Sequence, residues 1–365
     1  MRILIVDTCY PAFVEAHYRR RPELSSQTYA DQWRALMDTC FGTFDAYSHH
    51  LARSGHEAHE VVANCVPLQR AWAREHGADA DEEAVLLAQV RAFEPDVVYV
   101  QNLHYPSEQA LGVFHDVAEL VAGQIASKAP SDDRLRRFDL ILTSFPHFVP
   151  RFRALGVDTE YFRIGFDPRV LARLEREGPL EQDLGAVFVG SLNRIRHGRA
   201  NARLARAASR APIDFWGHGV RGWPPWSPLR RRYHGEAWGI DMYRILRRSR
   251  IAVNRHIRES EEFANNMRLF EATGVGAMLL TDAKTNLAEL FDPGVEVGTY
   301  SGAADLADKV LYYLAHEDER SAIAAAGQRR TLGEHGYDAR MPELAALLEL
   351  RLDRGQRSRH LHARS

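Results

Sequence analysis

The sequence contains little lysine, and its charges are balanced. Lysine occurs only at Lys128, Lys284 and Lys309, so arginine carries almost all of the positive charge. The 47 basic residues face 49 acidic ones, for a formal net charge of −2. A nucleic-acid partner is not expected from this balance, because nucleic-acid-binding domains concentrate positive charge.

Cysteine and long apolar runs are also scarce. The three cysteines, Cys9, Cys40 and Cys65, are odd in number and lack a Cys-x-x-Cys spacing, which argues against a disulfide framework and a zinc knuckle. The first apolar run, residues 1–6, is too short for a signal peptide or a membrane span and predicts a buried strand. We therefore expect a cytoplasmic protein without integral membrane contact.

The length and the pattern of the chain predict two α/β domains. A chain of 365 residues exceeds what one hydrophobic core usually supports. Short β-branched runs alternate with longer periodic segments in both halves, which is typical of parallel strands joined by helices. The apolar run 185–190 restarts the pattern after a charged segment. We predict a first domain at 1–168, a hinge at 169–184, a second domain at 185–353 and a disordered basic tail at 354–365.

Elements are predicted along both halves. The predicted strands are residues 2–6, 58–62, 96–100, 120–125, 139–143 and 160–164, then 185–190, 213–216, 251–254, 277–281 and 295–297. The predicted helices are residues 30–53, 82–92 and 148–155, then 200–210, 242–248, 266–273, 305–315 and 317–330. In open parallel sheets ligands bind beyond the carboxyl ends of the strands, so polar residues there are the site candidates.

The strongest candidate follows the strand at 251–254. Asn254 and His256 end this strand, and a helix capped by Asn266 carries Arg268 and Glu271 three residues apart on one face. An arginine near a helix N-terminus offers a fork to a diphosphate, and a carboxylate one turn later accepts hydrogen bonds from a ribose diol. The alternative is an ordinary surface ion pair.

These residues resemble a known family. The resemblance covers residues 251–340 and is carried by Asn254-x-His256, Asn266-Met267-Arg268-x-Phe270-Glu271-Ala272, Gly276-Ala277-x-Leu279-Leu280-Thr281-Asp282, Leu290-Phe291 and Tyr312-Tyr313-Leu314. It is similar to the glycosyltransferase group 1 domain of the spore-maturation-protein-like glycosyltransferases. That resemblance implies a GT-B fold, in which two Rossmann-like parallel-sheet domains face each other across a cleft. It also implies a nucleotide-sugar donor on the C-terminal domain and an acceptor on the N-terminal one.

The resemblance assigns one of two donor-binding glutamates. In related retaining GT-B transferases two glutamates separated by seven residues engage the donor, and the second contacts the ribose. Glu271 matches the second by its Phe-Glu-Ala context, whereas Phe263 stands at the first, with Glu261 and Glu262 out of register. The resemblance is to retaining enzymes, but because Phe263 stands at the first position the match assigns neither the contact with the donor sugar nor the stereochemical outcome.

Two glycine-containing turns are further donor candidates. In the stretch 189–194, Gly190 allows close approach to a phosphate, and Ser191, Asn193 and Arg194 are placed to contact it, although a simple capped turn explains them equally well. Residues 217–222 form a G-x-G-x-x-G, but the prolines that follow cannot open the helix that a dinucleotide fold requires. We interpret this stretch as a loop that places His218 near the nucleotide base.

No metal or resident cofactor is expected, the nucleotide sugar being a co-substrate. Asp79 and Asp81 satisfy the metal-binding D-x-D pattern of another glycosyltransferase fold, but they precede Glu82 and Glu83 at a predicted helix start. A helix N-cap is the better interpretation.

The acceptor side is predicted at strand ends of the first domain. Four residues there are candidate acceptor contacts and three are candidate bases. They are Thr8, Tyr10, Gln101 and Asn102 as contacts, and His104, His147 and Asp7 as bases. Among the bases the histidines are favoured because their usual pKa lies near neutral pH. Each of the seven is also explained by capping or core packing.

The leading hypothesis is a metal-independent, retaining glycosyltransferase of hexosyltransferase type. It moves a sugar from a nucleoside-diphosphate sugar to a hydroxyl of a glycan, a lipid-linked acceptor or a small molecule. One alternative is a sugar-nucleotide epimerase on the same fold, and another is a non-catalytic sugar-nucleotide-binding subunit. The sequence predicts no oligomeric state.

Overall fold

The computed structural model describes residues 1–79 and 81–362, and the chain divides into two compact units. Unit 1 contains Met1–Arg163 and the chain from Tyr337 onward. Unit 2 contains Ile164–Gly336. Over the described residues, each unit is built around one sheet whose strand pairings are all parallel.

Unit 1 holds a six-stranded sheet within the described part of the chain, in the order β2-β1-β3-β4-β5-β6. The strands are β1 Arg2–Asp7, β2 Glu57–Val62, β3 Val97–Val100, β4 Leu120–Ile125, β5 Leu140–Thr143 and β6 Thr159–Tyr161. The helices are α1 Pro11–Arg20, α2 Tyr29–Met37, α3 Ala46–Arg53, α4 Val66–His76, α5 Glu82–Phe93, α6 Glu108–Val117, α7 Asp132–Leu135 and α8 Phe148–Arg153, with a 3-10 turn at Pro22–Ser26.

Unit 2 holds a five-stranded sheet, again counted over the described residues, in the order β11-β10-β9-β7-β8. The strands are β7 Leu184–Val189, β8 Ile213–Trp216, β9 Ser249–Val253, β10 Met278–Asp282 and β11 Gly298–Tyr300. The helices are α9 Arg169–Glu175, α10 Arg194–Ala208, α11 Pro228–Arg231, α12 Ile240–Arg248, α13 Met267–Gly274, α14 Ala303–Ala315 and α15 Glu317–Glu334, with 3-10 turns at Val220–Gly222, Arg258–Ser260 and Leu287–Glu289.

Both sheets place their first and third strands side by side. β1 pairs with β3 in unit 1, and β7 pairs with β9 in unit 2. Helices then cover opposite faces of the sheet on the two sides of this pair, which leaves a crevice beyond the carboxyl ends of the two strands. The central strands consist of apolar residues buried on both faces, as in β3, so polar side chains are displaced to these ends.

The final helix, α16 Tyr337–His362, packs on the first unit. Its buried Tyr337, Met341, Leu344 and Leu348 join the core formed by β1, β3, β4 and β5. The sequence-based division assigned 185–353 to one domain and 354–365 to a tail. The structure instead ends unit 2 at Gly336, because the apolar stripe of α16 is buried in unit 1 and the helix continues to His362.

Three predicted elements differ from the structure. The predicted helix at 30–53 is two helices, α2 and α3, because Cys40 and Gly42 adopt positive φ angles of 52° and 62° between them. The predicted hinge at 169–184 begins with helix α9. The last strand lies at Gly298–Tyr300 rather than at 295–297. Within the described residues no helix is long and apolar enough to cross a membrane.

The packing of α16 on unit 1 predicts the effect of replacing Arg351. Arg351 Nε lies 3.1 Å from Asp158 Oδ2 and Nη2 lies 2.5 Å from Glu160 Oε1, and the arginine side chain is 7% exposed. Arg351→Met leaves two partly buried carboxylates without their cation, so we expect the free energy of unfolding to fall by roughly 1–3 kcal/mol in urea titrations. Arg354→Met, an exposed position on the same helix, is the matched control, and an equal loss in both variants would contradict the assignment.

Candidate functional site

The predicted donor residues of unit 2 gather beyond the carboxyl ends of β7 and β9. The turn 190–194 follows β7, and Asn254 and His256 follow β9. Arg255 joins the two segments, because its Nη2 donates to Ser191 O and its Nε to Asn201 Oδ1, both at 3.0 Å. The structure therefore brings together Gly190, Ser191, Asn193, Asn254 and His256.

The turn 190–194 is held against the loop that follows β8. Gly190 N donates to Trp216 O at 3.0 Å, and Leu192 N donates to His218 O at 2.8 Å. Gly217 has a φ of +130°, and a Cβ there would lie 1.8 Å from Gly190 O. The glycine at 217 is therefore required by the close approach of two backbones, and the loop places His218 next to the turn.

Asn193 has a structural role at the end of this turn. Its Oδ1 accepts from Ile195 N at 2.9 Å and from Arg196 N at 3.0 Å, which caps helix α10. Arg194 donates from Nη1 to Gly222 O at 3.3 Å, and its guanidinium lies 5.7 Å from the ring of Trp223. The capped turn is thus present in the structure, and phosphate contact by these residues remains a prediction.

His256 and Asp282 form a buried pair at the ends of β9 and β10. His256 Nδ1 lies 2.7 Å from Asp282 Oδ1 and donates to it, and the imidazole is 0% exposed. Burial raises the pKa of the Asp282 carboxyl, but the hydrogen bond from His256 and the nearby Lys284 lower it by more, so it is held below its usual range. His256 Nε2 is buried and has no hydrogen-bond partner among the described residues. A buried polar atom without a partner marks a place for a ligand group or water.

Amide side chains surround this pair. Asn254 Nδ2 donates to Thr281 Oγ1 at 3.0 Å, and Asn266 Nδ2 donates to Asn254 Oδ1 at 2.9 Å. Asn266 Oδ1 also accepts from Leu269 N at 3.3 Å, as predicted for the cap of α13. The network fixes the N-terminus of α13 at the carboxyl edge of the sheet.

Arg268 and Glu271 form an ion pair on α13. Arg268 Nη1 lies 2.9 Å from Glu271 Oε2, and the two side chains are only 15% and 8% exposed, so this is not an ordinary surface pair. Burial raises the pKa of the Glu271 carboxyl above its usual range, although Arg268 and Tyr243 act to lower it. Arg268 Nη1 also lies 2.8 Å from Met242 Sδ, and among the described residues its Nε and Nη2 have no partner.

Arg255 is a candidate donor-binding residue that the sequence did not single out. Its guanidinium lies over the ring of Phe188 at 5.5 Å and is hydrogen-bonded only to the neutral Ser191 and Asn201 in the described part of the chain. Burial lowers the pKa of Arg255 to about 10. The residue remains a cation at neutral pH, and the Asp282 carboxylate offsets only part of the cost of its burial. A buried cation whose hydrogen-bond partners are neutral favours an anionic ligand nearby. Its position directly after β9 was the available signal.

Unit 1 has its own polar group at the ends of β1 and β3. Thr8 N donates to Asp7 Oδ1 at 2.7 Å, and Asn102 Nδ2 donates to Thr8 Oγ1 at 2.8 Å. Thr43 Oγ1 donates to Gln101 Oε1 at 2.7 Å, while Gln101 Nε2 is buried without a hydrogen-bond partner in the described residues. Burial raises the pKa of Asp7 to about 6, against the lowering effect of the hydrogen bond from Thr8. Four predicted acceptor-side residues, Asp7, Thr8, Gln101 and Asn102, are therefore brought together.

The other predicted acceptor-side residues have separate surroundings. His104 is exposed, and its Nε2 lies 3.0 Å from Lys128 O. His147 precedes α8 and its ring centroid lies 4.8 Å from that of Phe148. Tyr10 is 54% exposed and precedes α1. Of the three candidate bases, Asp7 is the one that lies in the hydrogen-bonded group at the β1–β3 end, where burial raises its pKa.

The second residue of the D-x-D pattern starts a helix, and the first, Asp79, accepts from Asp81 N at 3.2 Å through its Oδ1. Asp81 Oδ1 accepts from Glu83 N at 3.1 Å and from Ala84 N at 3.0 Å, which caps α5. Among the described residues no group of three or more metal-ligating side chains is arranged to hold a metal ion. The absence of a metal requirement remains a prediction.

Comparison with known proteins identifies the fold. Residues 196–346 match the family model described as Glycosyl transferase-like. No curated protein matches the sequence. HepE from Anabaena, solved with UDP and glucose, is 14% identical with a TM-score of 0.57, and the match covers 96% of this chain and 99% of that one. Sucrose-phosphate synthase from Thermosynechococcus elongatus is 12% identical with a TM-score of 0.56, over 100% of both chains.

A glycosyltransferase from Rickettsia africae is also similar, at 10% identity and a TM-score of 0.52, over 95% of this chain and 97% of that one. At such identities these similarities establish the fold alone. The fold is GT-B, with two Rossmann-like parallel-sheet units, as the sequence predicted. The Glycosyl transferase-like segment lies mainly in unit 2 and contains Asn254, Arg255, His256, Arg268 and Glu271.

The raised pKa of Asp7 predicts a pH-dependent loss of stability. The carboxyl has a usual pKa of 3.8 and a folded pKa of about 6, so the folded state binds the proton more tightly. Stability therefore falls as pH rises from about 4 to above 6, by roughly 3 kcal/mol in total. Asp7→Asn keeps the acceptor for Thr8 N and should remove this pH dependence. In denaturant titrations the free energy of unfolding of the variant should therefore rise relative to that of the wild type as the pH increases towards 7.

An opposite slope provides the control. The hydrogen bond from Thr28 lowers the pKa of the exposed Asp31 carboxyl, so its contribution is present above pH 4 and is lost as pH falls. The free energy of unfolding of Asp31→Asn should therefore fall relative to that of the wild type as the pH rises. The same pH dependence in both variants would show that Asp7 is not the source of the slope.

Proposed function

We propose that the protein is a glycosyltransferase that moves a sugar from a nucleoside-diphosphate sugar to an acceptor hydroxyl. The observation that carries the proposal is the polar cluster beyond β7 and β9, where Arg255 and the buried His256 lie beside the turn 190–194. This is where parallel sheets of this strand order bind ligands. The Glycosyl transferase-like match over residues 196–346 includes Asn254, Arg255 and His256 of this cluster, and the turn 190–194 lies just before it.

The diphosphate of the donor would bind at the β7–β9 crevice. Arg255 supplies a buried positive charge that forms no ion pair with a carboxylate in the described residues. A Cβ at Gly190 would lie 3.0 Å from the ring of Phe188, so packing keeps a side chain out of the turn at this position. His256 Nε2 is available for one further hydrogen bond. Donors held in fixed positions around the leaving diphosphate stabilise the negative charge that develops on it during transfer.

The nucleoside would be recognised by α13 and the loop after β8. Glu271 is the residue that would accept hydrogen bonds from the ribose diol, and its pairing with Arg268 orients the carboxylate before the donor arrives. Arg268 keeps Nε and Nη2 for phosphate oxygens, since in the described part of the chain the structure pairs Nη1 alone. His218 lies beside Trp238 with stacked rings 5.4 Å apart, which suits contact with a base.

A uridine nucleotide is the best first probe. HepE has been solved with UDP and with UDP-glucose, and it shares the GT-B fold of this chain. We therefore propose a UDP-sugar as the donor class to test first. We also propose that the protein belongs to the spore-maturation-protein-like glycosyltransferases and that it acts in the cytoplasm, as expected from the sequence.

The acceptor would bind at the β1–β3 end of unit 1. Asp7 is largely ionised at neutral pH and accepts a hydrogen bond there, and Gln101 Nε2 is a buried donor without a hydrogen-bond partner among the described residues. Together they can bind and orient a hydroxyl group. No metal is proposed to assist, since the cations of Arg255 and Arg268 supply positive charge and Asp81 is occupied in capping α5.

Replacing Glu271 should weaken UDP binding. In calorimetry, Glu271→Ala and the isosteric Glu271→Gln are each expected to raise the dissociation constant of UDP by about tenfold or more, equivalent to about 1.4 kcal/mol. The reason is the loss of a charged acceptor for the ribose hydroxyls. Glu271→Gln preserves the packing around the side chain. If both variants raise the dissociation constant of UDP, misfolding is therefore not the cause.

Glu317 provides the matched control for this measurement. It pairs with Arg320 at the same i,i+3 spacing on α15. Arg320 also donates to Arg250 O at the start of β9, which is the opposite edge of the same sheet. Glu317→Ala should leave UDP affinity unchanged, and unchanged affinity in both Glu271 variants would remove the ribose assignment.

Product stereochemistry should show retention. On that path the departing phosphate accepts the proton of the acceptor hydroxyl, so no strong base is needed. We expect proton NMR to show the donor's anomeric configuration in the product. Asp7→Asn should then raise the acceptor KM and lower kcat by less than about tenfold, because a positioning contact and not general-base catalysis is lost.

An inverted product would overturn the retaining proposal. If Asp7 acts as the general base for inversion, Asp7→Asn should lower kcat by about a hundredfold or more. The decrease of kcat at pH values below the pKa of Asp7 should also be absent from the variant. Release of free, epimerised donor without acceptor would instead identify an epimerase. UDP binding without turnover over a broad acceptor panel would count against the transferase itself.

A further inference from the structure

Unit 2 carries a dense run of positive charge outside the donor cluster. Residues 194–232 contain ten arginines and a single acidic residue, Asp214, although the whole chain has a net charge of −2. This segment covers α10, β8, the loop that follows it and α11. Positive charge is therefore concentrated in this one region, as expected of a surface that binds an anionic partner.

Two large apolar side chains are exposed within the same region. Ile195 is 96% exposed in the first turn of α10, and Trp226 is 76% exposed in the loop before α11. Exposed arginines accompany them at Arg196, Arg199 and Arg231. These two are the most exposed of the large apolar side chains in the described part of the chain, and burying them against a partner would be favourable.

Contacts join the two segments into one surface. Arg194 Nη1 donates to Gly222 O at 3.3 Å, and Trp223 Nε1 donates to Leu192 O at 2.7 Å. Arg230 Nη1 in turn donates to Trp223 O at 3.2 Å. The first turn of α10 and the loop from 220 to 231 therefore adjoin. We call the exposed side chains Ile195, Arg196, Arg199, Arg221, Trp226 and Arg231 the arginine surface.

The backbone presents the two apolar side chains in fixed places. Pro224 and Pro225 restrict the chain immediately before Trp226, and Ser227 N closes the turn by donating to Pro224 O at 2.9 Å. Ile195 lies in a turn set off from the rest of α10 by the non-helical backbone of His197, with φ −129° and ψ 22°. Neither side chain belongs to the core cluster of unit 2.

The cations of this surface are not neutralised internally. Within the described residues, Arg196, Arg199, Arg221 and Arg231 have no ion pair with a carboxylate, whereas the nearby Arg210 pairs with Asp308 at 3.2 Å. Unpaired arginines around exposed apolar groups combine two kinds of attraction. A partner that offers negative charge and an apolar interior at the same place would satisfy both.

We propose that the arginine surface docks unit 2 on an anionic lipid bilayer, with Ile195 and Trp226 entering the headgroup region. Arginines near an anionic bilayer contribute additively, and tryptophan favours the interface between headgroups and acyl chains. A small anionic donor would explain the charge but not the exposed isoleucine and tryptophan. The assignment is independent of the proposed sugar transfer, because no residue of the donor cluster is part of the surface.

Vesicle flotation of the full-length protein tests the electrostatic part. With vesicles of phosphatidylcholine containing about 30% phosphatidylglycerol, the protein should float at about 0.1 M salt and be released at about 0.5 M salt. Pure phosphatidylcholine vesicles should not bind it. Arg196→Glu with Arg199→Glu should lower the partition coefficient by at least about tenfold.

A charge-matched control lies on α4 of unit 1. Arg70→Glu with Arg74→Glu changes the net charge equally at two exposed positions four residues apart, and vesicle binding should stay within about twofold of the wild type. An equal loss in both double variants would mean that net charge alone decides binding and would overturn the docking surface. Absence of flotation at low salt would overturn it as well.

The apolar part is tested by Ile195→Ser with Trp226→Ser. These positions are exposed, so folding should be unaffected, as thermal unfolding will show. Vesicle affinity should fall by about tenfold while its salt dependence stays the same, because the charges remain. If this variant bound vesicles like the wild type, and a single-stranded RNA oligomer bound as tightly as the vesicles, the surface would be a general polyanion site and the membrane assignment would be wrong.

Discussion

A parallel strand buried on both faces leaves its polar neighbours one place to lie, beyond the end of the strand. This constraint organises both units. In unit 1 it collects Asp7 and Asn102 where β1 and β3 end, and in unit 2 it collects Asn254 and His256 at the ends of β9 and its neighbours. The strand order, with the first and third strands adjacent, leaves a crevice at those points. The same architecture therefore yields two polar sites with different chemistry.

The two sites differ in the sign of the charge they bury. Asp7 in unit 1 is a carboxylate whose pKa burial raises to about 6, and Arg255 in unit 2 is a cation whose pKa burial lowers to about 10. Each charge is held mainly by neutral hydrogen-bond partners, so each destabilises the folded chain when no ligand is bound. An acceptor hydroxyl suits the first and a diphosphate suits the second. Glu271 differs from both, since Arg268 compensates its buried charge within one helix turn.

The sequence predicted features that depend on nearby residues better than features that depend on pairing between distant ones. The cap at Asn266 and the contact between Arg268 and Glu271 follow from helix spacing alone, and the structure has both. The pairing of His256 with Asp282 needs β9 and β10 side by side, and the buried state of Arg255 needs the turn after β7 beside it. Such relations appear only when the strand order is known. The predicted helix at 30–53 is broken at Cys40 and Gly42, and only the glycine is a residue type that signals a positive φ.

The return of α16 to unit 1 makes unit 2 an insertion in the chain order of unit 1. The two ends of the insertion meet, since Phe166 N donates to His335 O at 2.8 Å and Phe166 pairs with Gly336. During synthesis unit 2 is complete on the ribosome while the core of unit 1 still waits for Tyr337, Met341 and Leu344. The strands of unit 1, which precede unit 2 in the chain, thus reach their final packing after it, which reverses the usual order of domain maturation along a polypeptide.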